Sequence, residues 1–493
     1  MPEWLRQRTL ISPNRLALVF REERWTFADL DRRVSGTVSR LRAAGVRPHD
    51  RLALLAGNGP GFVQMVHAAP RLGAVLVPLN TRLTGSELMW QMKDSEPSLL
   101  VYDETQREKV ADIAAASPYP RHFSLAEVSA EAVSAPATEP DPTAELVDLR
   151  AVHTIVYTSG TSGTPKGTML TFGNHWWSAV GSALNLGLNP SDRWLACLPL
   201  FHVGGLAILM RSLIYGMPVV LQDRFDPEEV NRAIDEDGVT IVSVVATMLH
   251  RMLEERGDRP YPPNLRCILV GGGPVPRDLL EECARRAVPV VQTYGLTEAC
   301  SQVTTLAPED ALRKLGAAGK PLFPMEVRIE GEDARILPPG EEGQIVVRGP
   351  TVTAGYFRRP RETQEALRGG WLHTGDIGYL DDQGYVYVLD RRDDLIVSGG
   401  ENVYPAEVEE ALRSHPDVLD AGVIGLPDEV WGQRVVAAVT LREGTRVGED
   451  ELVAFCRSHL APYKAPGEIR PVDELPRTAT GKLLRRGLQE WWT

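Results

Sequence analysis

Strand-like and helix-like segments alternate along the chain as far as about residue 310, and this alternation constrains the fold more than any other feature of the sequence. Residues 26–46 space Leu and Val as a helix does, while the apolar runs GAVLVPLN (73–80), TIVSVV (240–245) and RCILVGGG (266–273) resemble buried strands. Regular alternation of this kind is typical of layered α/β folds with largely parallel sheets. We therefore predict an α/β fold for this part of the chain.

The pattern changes near residue 325, where MEVRIE, GQIVVRG and GYVYVLDRRDDLIV indicate short strands separated by Gly and Asp turns. They predict a small β-rich unit that completes a large N-terminal domain of layered α/β subdomains. Further on, PAEVEEALRSH, two strand-like runs and DELVAFCRSHL predict a small α+β domain. We place the boundary at Asp393, which gives domains 1–392 and 393–493. Residues 124–147, rich in Ala, Glu, Pro and Ser, predict a surface excursion or linker.

Composition bounds the function. The chain has 493 residues, more than one hydrophobic core normally organises, and its formal net charge of −13 argues against a nucleic-acid-binding protein. Its five cysteines are scattered without CxxC spacing, which favours a reducing compartment and predicts neither disulfides nor a zinc site. The N-terminus lacks the apolar segment of a secretory signal, and no apolar run reaches the ~18 residues of a membrane span. We expect a cytoplasmic protein without membrane insertion, and the sequence leaves a homo-oligomer open.

The segment TSGTSGTPKG, residues 158–167, is well suited to bind a polyanion. Its glycines let backbone N–H groups face phosphates, its hydroxyls add donors, and Lys166 supplies positive charge. The spacing is not that of a Walker A loop. The residues alone therefore leave two interpretations, a phosphate-binding loop of another type or a flexible surface loop. Only seven of the 53 basic residues are lysines, which draws attention to Lys166 and to Lys482.

This segment closely resembles the phosphate loop of the acyl-adenylate-forming superfamily, which includes acyl-CoA synthetases, luciferases and peptide-synthetase adenylation domains. Ser162 stands where that family usually has Thr, and it keeps the hydroxyl. Further motifs that resemble the family follow in order: LPLFHVGG (198–205), GGGPVP (271–276), TYGLTEA (293–299), GQIVVRG (343–349), WLHTGD (371–376), DRRDDLIVSGGENVYPAEVE (390–409) and PRTATGK (476–482). The resemblance extends over nearly the whole chain.

The resemblance implies two half-reactions. A carboxylate attacks the α-phosphate of MgATP and expels pyrophosphate, and the thiol of CoA then attacks the acyl-adenylate and releases AMP. The implied nucleotide contacts are the phosphate loop (Thr158, Ser159, Gly160, Thr161, Ser162, Gly163 and Lys166), the backbone of Gly272, Gly273 and Pro274, Tyr294 and Gly295 at adenine, Thr297 at the α-phosphate, and Asp376 with Arg391 at the ribose. Glu298 is implied as the Mg²⁺ ligand, since magnesium prefers hard oxygen donors that bridge to phosphates.

Lys482 resembles the lysine that bridges the substrate carboxylate and the α-phosphate, where an ammonium stabilises the negative charge gathered on phosphorus. In the family this lysine belongs to a C-terminal domain that rotates between the half-reactions about a hinge, and Asp393 matches the hinge residue. Gly400 resembles the glycine that lines the path of the CoA thiol. Taken singly, Glu298, Asp376 and Lys482 also fit ordinary solvated residues, and only the complete set favours catalysis.

The acid is suggested by residues 168–206, by LQDRFD (221–226) and by TEACSQVTTL (297–306), which resemble the o-succinylbenzoate–CoA ligases of menaquinone biosynthesis. That acid is a dianion: its succinyl carboxylate is activated while its aryl carboxylate stays bound, so the site needs a cation or converging donors. The candidates are Arg224, His202, Thr247, Ser301 and Gln302, with Arg224 the favoured cation. His202 is also implied at the thiol tunnel.

Several interpretations stay open at this point. The HWW cluster at 175–177 fits helix packing as well as ligand contact. The chain could be a CoA ligase for another small aryl or fatty acid, a luciferase-like or carrier-loading adenylating enzyme, or a degenerate member that only binds. The joint presence of Lys166, Glu298, Asp376 and Lys482 favours an active enzyme.

Overall fold

The computed structural model falls into two compact units. The first comprises residues 1–81, 94–156 and 167–389, and the second comprises residues 82–93, 157–166 and 390–493. The structure describes residues 1–116, 121–129, 146–158, 165–273, 275–310, 313–314, 316–331, 333–391, 395–442, 444–445, 447–476, 483 and 485–492. The boundary predicted at Asp393, and most of the excursion predicted for residues 124–147, lie outside the described residues.

The helices account for the segments with helical spacing. In chain order they are α1 (Trp4–Ile11), α2 (Phe27–Ala43), α3 (Pro60–Arg71), α4 (Gly85–Ser95), α5 (Arg107–Ala116), α6 (Leu125–Ser129), α7 (Phe172–Leu186), α8 (Val203–Tyr215), α9 (Pro227–Glu236), α10 (Ala246–Arg256), α11 (Arg277–Arg285), α12 (Pro360–Ala366), α13 (Pro405–Arg413), α14 (Glu449–His459) and α15 (Arg485–Gln489).

The strands are short, and most coincide with apolar runs. In chain order they are β1 (Leu16–Phe20), β2 (Glu23–Thr26), β3 (Arg51–Leu55), β4 (Val75–Pro78), β5 (Leu99–Tyr102), β6 (Arg121–Ser124), β7 (Val152–Thr158), β8 (Lys166–Thr171), β9 (Trp194–Ala196), β10 (Val219–Leu221), β11 (Ile241–Val244), β12 (Cys267–Val270), β13 (Val290–Leu296), β14 (Ser301–Thr305), β15 (Lys320–Pro321), β16 (Glu326–Glu330), β17 (Gly343–Arg348), β18 (Leu367–Arg368), β19 (Trp371–Leu380), β20 (Val386–Arg391), β21 (Ile396–Ser398), β22 (Glu401–Val403), β23 (Val418–Asp428), β24 (Gly432–Leu441) and β25 (Glu468–Pro471).

The largest sheet has the order β15-β14-β13-β12-β11-β9-β10-β1-β2. From β13 to β1 its strands are parallel, and antiparallel strands complete both edges. Every residue of β11 and β12 is buried, as expected of parallel strands that helices cover on both faces. A second sheet, β6-β5-β3-β4-β7-β8, is likewise built on parallel pairs. The predicted α/β fold is confirmed.

Local sequence explains where a helix such as α2 begins. Thr26 and Asp29 form a capping box, in which each side chain accepts a hydrogen bond from the other residue's backbone N–H. This arrangement satisfies two of the N–H groups that a helix start leaves unpaired. Along the helix, Phe27, Leu30 and Val34 lie on one face and are buried, which fixes α2 against the core.

Two smaller sheets follow in the chain. Strands β16-β17-β19-β18, with β20 paired to β19, form the β-rich part of the first unit. Strands β22-β21-β24-β23, with β25 paired to β24, form the sheet of the second unit, which α13 and α14 cover with a separate core around Val408 and Leu452. The β-rich and α+β textures predicted for these segments are thus found in the structure.

Candidate active site

Five neighbouring strands of the largest sheet lead to several of the predicted ligand residues. β10, β9, β11, β12 and β13 lie side by side and run parallel. Their carboxyl ends lead to the predicted residues Arg224, His202, Thr247, Gly272 and Tyr294, in that order. In open α/β sheets, ligands bind at the edge where the carboxyl ends of parallel strands meet.

The glycines after β12 have different backbone requirements. Gly272 has a φ of +82°, in the left-handed region that favours glycine, and a Cβ on it would lie 3.3 Å from Val245 Cγ1. A Cβ on Gly273 would meet nothing within 4 Å, so the backbone there is open to a neighbour outside the chain. Pro274, the third predicted residue of this turn, lies outside the described residues.

Tyr294 and Asp376, predicted at the adenine and the ribose, are brought into direct contact. Tyr294 Oη donates a hydrogen bond of 2.5 Å to Asp376 Oδ2, and both side chains are buried. Thr374 Oγ1 accepts a hydrogen bond from the Asp376 backbone N–H. Because Tyr294 belongs to β13 and Asp376 to β19, this pair joins the parallel sheet to the β-rich sheet at the predicted nucleotide site.

Gly295 explains how β13 turns into the segment that carries the predicted metal ligand Glu298. A Cβ on this residue would lie 1.8 Å from the carbonyl oxygen of Ser301, so no other residue fits without displacing backbone. The pairing of β13 with β14 shifts register between Tyr294 and Gly295, which marks a bulge. This close approach sets Thr297 and Glu298, on a 3₁₀ turn, beside the start of β14.

Glu298 is half-buried and is held in place by groups that the sequence did not reveal. Tyr356 Oη donates to Glu298 Oε1 at 3.0 Å, and the Thr353 backbone N–H donates to the Glu298 carbonyl at 2.8 Å. Within the described residues, no group of three or more His, Cys, Asp or Glu side chains is arranged to hold a metal ion. One carboxylate fits Mg²⁺ all the same, because this ion is commonly held by one or two carboxylates, water and the phosphates of the substrate.

Sequence reasoning missed a buried cation that lies beside two of the predicted acid-site residues. Arg211 lies in α8 with 1% of its surface exposed, and its guanidinium sits 5.1 Å from the Trp194 ring centre. Its Nη2 donates to Gln302 Oε1 at 2.9 Å and reaches Ser301 Oγ at 3.5 Å. Two predicted acid-site residues therefore lie directly against a buried positive charge.

No carboxylate balances the Arg211 charge within the described residues, and the Arg211 Nε has no hydrogen-bond partner among them. Burial lowers the pKa of the Arg211 guanidinium from its ordinary value. Buried cations are normally paired, so an unpaired one indicates a place for an anion. The sequence did carry a clue, because Arg211 is the one charged residue in the helix VGGLAILMRSLIY.

The remaining predicted acid-site residues are more dispersed. Arg224 is exposed on the loop between β10 and α9, and it forms no hydrogen bond or ion pair with any other described residue. His202 is half-buried at the start of α8, with its ring edge against Phe201. Thr247 is half-buried in the first turn of α10. The assignments of these three residues stay predictions.

Other predicted residues belong to the second unit. Thr158 ends β7 and Lys166 begins β8, while Ser159, Gly160, Thr161, Ser162 and Gly163 lie outside the described residues. Gly400, in the turn between β21 and β22, has a φ of +82° that favours glycine. Lys482 and the hinge candidate Asp393 also lie outside the described residues, and for Arg391 only the backbone is described.

The arrangement of the first unit has two chemically different ends. One end offers an aromatic ring, a buried carboxylate and the half-buried Glu298, which suit a nucleotide and its metal ion. The other end offers a buried guanidinium flanked by an amide and a hydroxyl, which suit a carboxylate. Such a site can hold an organic acid and a nucleotide at once.

Comparison with known proteins agrees with this geometry. The model of the AMP-binding enzyme family matches residues 5–357, and the model of the AMP-binding enzyme C-terminal domain matches residues 407–482. The chain therefore belongs to the family of AMP-binding enzymes, and the resemblance predicted from its motifs is confirmed.

Particular relatives are similar along the full length. A 2-succinylbenzoate–CoA ligase of Geobacillus kaustophilus is 52% identical over 495 residues, covering 99% of this chain and 97% of the relative. The o-succinylbenzoate CoA synthetase of Bacillus subtilis, solved as a double mutant with its product analogue OSB-NCoA, is 44% identical with a TM-score of 0.93, covering 99% of this chain and 98% of that one. The same synthetase in complex with ATP and magnesium ion is 44% identical with a TM-score of 0.76, covering 99% of each chain.

Proposed function

We propose that the chain is an ATP-dependent o-succinylbenzoate–CoA ligase. It joins the succinyl carboxylate of o-succinylbenzoate to AMP with release of pyrophosphate, and it then transfers the acyl group to CoA with release of AMP. Relatives that bear this activity in their names match the chain from end to end. The reaction serves menaquinone biosynthesis, and the five cysteines, all buried and unpaired, favour the reducing cytoplasm as its location.

The observation that carries the choice of acid is the buried Arg211 beside Gln302 and Ser301. o-Succinylbenzoate brings a second carboxylate that does not react and must be held. A guanidinium pairs with a carboxylate through two parallel hydrogen bonds, and the pairing is strong where water is excluded. We assign the aryl carboxylate to Arg211, which takes the role that the sequence had favoured for Arg224.

The other end of the site holds the nucleotide. Asp376 accepts the ribose hydroxyls, Tyr294 lies against adenine, and Thr297 donates to the α-phosphate. A magnesium ion held by Glu298 and the phosphates would neutralise charge on the departing pyrophosphate. The loop of residues 158–166 binds the β- and γ-phosphates, with Lys166 as its cation.

Four further residues complete the proposed chemistry. Lys482 places its ammonium between the reacting carboxylate and the α-phosphate, where negative charge gathers as the acyl–phosphate bond forms. Gly400 lines the path of the CoA thiol, because a residue without a side chain leaves that path open, and His202 gates the thiol tunnel. Asp393 serves as the hinge between the two half-reactions.

The test is a pair of assays on the purified chain. With o-succinylbenzoate and Mg²⁺, we expect exchange of labelled pyrophosphate into ATP, and addition of CoA should then yield AMP and o-succinylbenzoyl-CoA in equal amounts. The matched control acid is 4-oxo-4-phenylbutanoate, which lacks only the aryl carboxylate and should be a much poorer substrate.

Three outcomes would overturn parts of the proposal. Exchange with benzoate or a fatty acid, but not with o-succinylbenzoate, would contradict the acid. Exchange without a CoA-dependent product would indicate a carrier-loading enzyme. Equal use of the diacid and of 4-oxo-4-phenylbutanoate would contradict the role of Arg211 while leaving the reaction class intact.

A further inference from the structure

The turn before β14 has an unusual backbone. Cys300 and Ser301 are consecutive non-glycine residues with positive φ angles, +52° and +96°. Such conformations are costly for residues with a Cβ and persist only where the surroundings enforce them. The turn also leads directly from Glu298 into Ser301 and Gln302, so its shape decides where those side chains point.

Helix α7 supplies the groups that hold this turn. Ser178 Oγ donates a hydrogen bond of 2.7 Å to the carbonyl of Cys300. One turn earlier, the His175 ring lies between Thr154 Oγ1 at 3.2 Å and Cys300 Sγ at 3.4 Å. Cys300 is fully buried, and His175 and Ser178 are nearly so, so each contact is shielded from water. Ser178 therefore contacts the backbone of Cys300, and His175, one helical turn earlier, contacts its side chain.

The helix is itself firmly fixed. Its first turn carries a capping box between Thr171 and Asn174, and the Asn174 Nδ2 donates to the carbonyls of Pro350 at 2.9 Å and Val352 at 2.8 Å. A helix anchored at its start provides a rigid support for the residues that follow. This rigidity matters because a strained turn relaxes if its support can move.

We propose that His175 and Ser178 are positioning residues for recognition of the acid. They hold the left-handed turn at Cys300, and this turn directs the side chains of Gln302 and Ser301 toward Arg211. The inference rests on the proposed function, since it makes α7 responsible for placing Ser301 and Gln302 accurately around the aryl carboxylate of the acid. It also gives His175, the histidine of the HWW segment, a role in holding this turn.

The test is Ser178→Ala, which removes the hydrogen bond to Cys300 and little volume. We expect the KM for o-succinylbenzoate to rise about fivefold to tenfold, the effect of one hydrogen bond. The kcat and the KM for ATP should stay within about twofold of their original values, because the nucleotide end is held separately. The preference for the diacid over 4-oxo-4-phenylbutanoate should fall by the same factor.

Ser182→Ala is the matched control, because Ser182 is buried one turn further along α7 and makes no hydrogen bond to the turn. It should leave every constant unchanged. Ser178→Thr keeps the hydroxyl, so its KM for o-succinylbenzoate should equal that of the original protein. Melting temperatures of all three variants distinguish repositioning from loss of fold.

Two results would overturn the inference: an unchanged KM for the acid in Ser178→Ala, or an equal loss for acid and ATP. If the enzyme prefers an acid other than o-succinylbenzoate, the proposed function fails, and the same comparison of KM values with the preferred acid still decides the role of Ser178. If Arg211→Met abolishes the preference for the diacid while Ser178→Ala does not alter it, only the positioning role fails.

Discussion

Two buried cations, Lys464 in the second unit and Arg211 in the first, differ in how their charge is balanced. In the second unit, Lys464 is 2% exposed, and its Nζ lies 2.7 Å from both Glu87 and Glu407. In the first unit, Arg211 is 1% exposed and faces a neutral amide and a hydroxyl. Within the described residues, one charge has two counter-ions and the other has none.

The presence or absence of a counter-ion distinguishes a structural cation from a candidate binding cation. Burial alone would lower the pKa of the Lys464 ammonium, but the carboxylates of Glu407 and Glu87 outweigh it, and the net shift is upward. The Lys464 charge is therefore balanced within the fold. Among the described residues the Arg211 charge has no carboxylate partner, which leaves room for an anion from a bound molecule. A buried cation without a counter-ion thus indicates a binding site, whereas a fully paired one indicates a structural contact.

The largest expected effect comes from breaking the paired site. Lys464→Met leaves two carboxylates buried without a cation, which should cost about 3–5 kcal/mol of unfolding free energy. Native-state hydrogen exchange of amides in α13 and β24 measures this loss. The matched control is Lys93→Met on the exposed face of α4, which should change the stability by less than about 0.5 kcal/mol.

Removing the two carboxylates together with the lysine tests the same ion pairs. Adding Glu87→Gln and Glu407→Gln to Lys464→Met removes all three charges and should recover most of the lost stability. If Lys464→Met alone costs less than about 1 kcal/mol, the two carboxylates do not depend on the lysine, and the contrast with Arg211 disappears.

The unpaired site should respond in activity instead of stability. Arg211→Met removes an uncompensated buried charge, so the unfolding free energy of the free protein should change by less than about 1 kcal/mol. In contrast, kcat/KM for o-succinylbenzoate should fall roughly 30-fold to several thousand-fold. This corresponds to a loss of about 2–5 kcal/mol of transition-state stabilisation. Steady-state kinetics with the diacid and with 4-oxo-4-phenylbutanoate measure this loss. The monoacid serves as the control and should be used equally well by both proteins; a parallel loss with both acids would indicate general damage.

The smallest expected effect is in alkaline solution. Because the folded pKa of Lys464 is raised, its contribution to stability is complete below the ordinary lysine value of about 10.5 and is lost as the pH rises toward the folded pKa. The stability difference between the original chain and Lys464→Met should therefore shrink above pH 10.5, by at most about 1.4 kcal/mol per pH unit.

Hydrogen exchange compared between pH 9 and 11 checks this trend. A flat difference for Lys464→Met would show that the paired site draws no net stability from its charge.

Much of the fold could be predicted because it depends on local patterns. The apolar runs that became β11 and β12 are short, end in or near glycine or polar residues and alternate with helical segments, and residues placed after such strands gather at one edge of the sheet. The predicted nucleotide contacts came from short family motifs, which can also be read from the local sequence. Tyr356 was missed, because its contact with Glu298 joins residues 58 positions apart and leaves no periodic trace.

The acid end was harder to predict because charge and burial had to be considered together. Arg224 stood out by its motif, but the structure leaves it exposed. Arg211 could have been found from the sequence, since an isolated arginine in an apolar helix is costly to bury without a purpose. The membership of α4 in the second unit was beyond reach, since nothing in residues 82–93 reveals a partner near residue 464.

That last contact has a consequence for the order in which the chain is made. Glu87 and Lys464 are separated by 377 positions. At about 5–20 residues per second, a ribosome that has delivered Glu87 needs roughly 20–75 s to deliver its partner. Helix α4 is therefore synthesised long before Lys464, the cation that pairs with Glu87 in the folded unit. The second unit, despite receiving one of its helices early, is completed only after residue 464 has been synthesised.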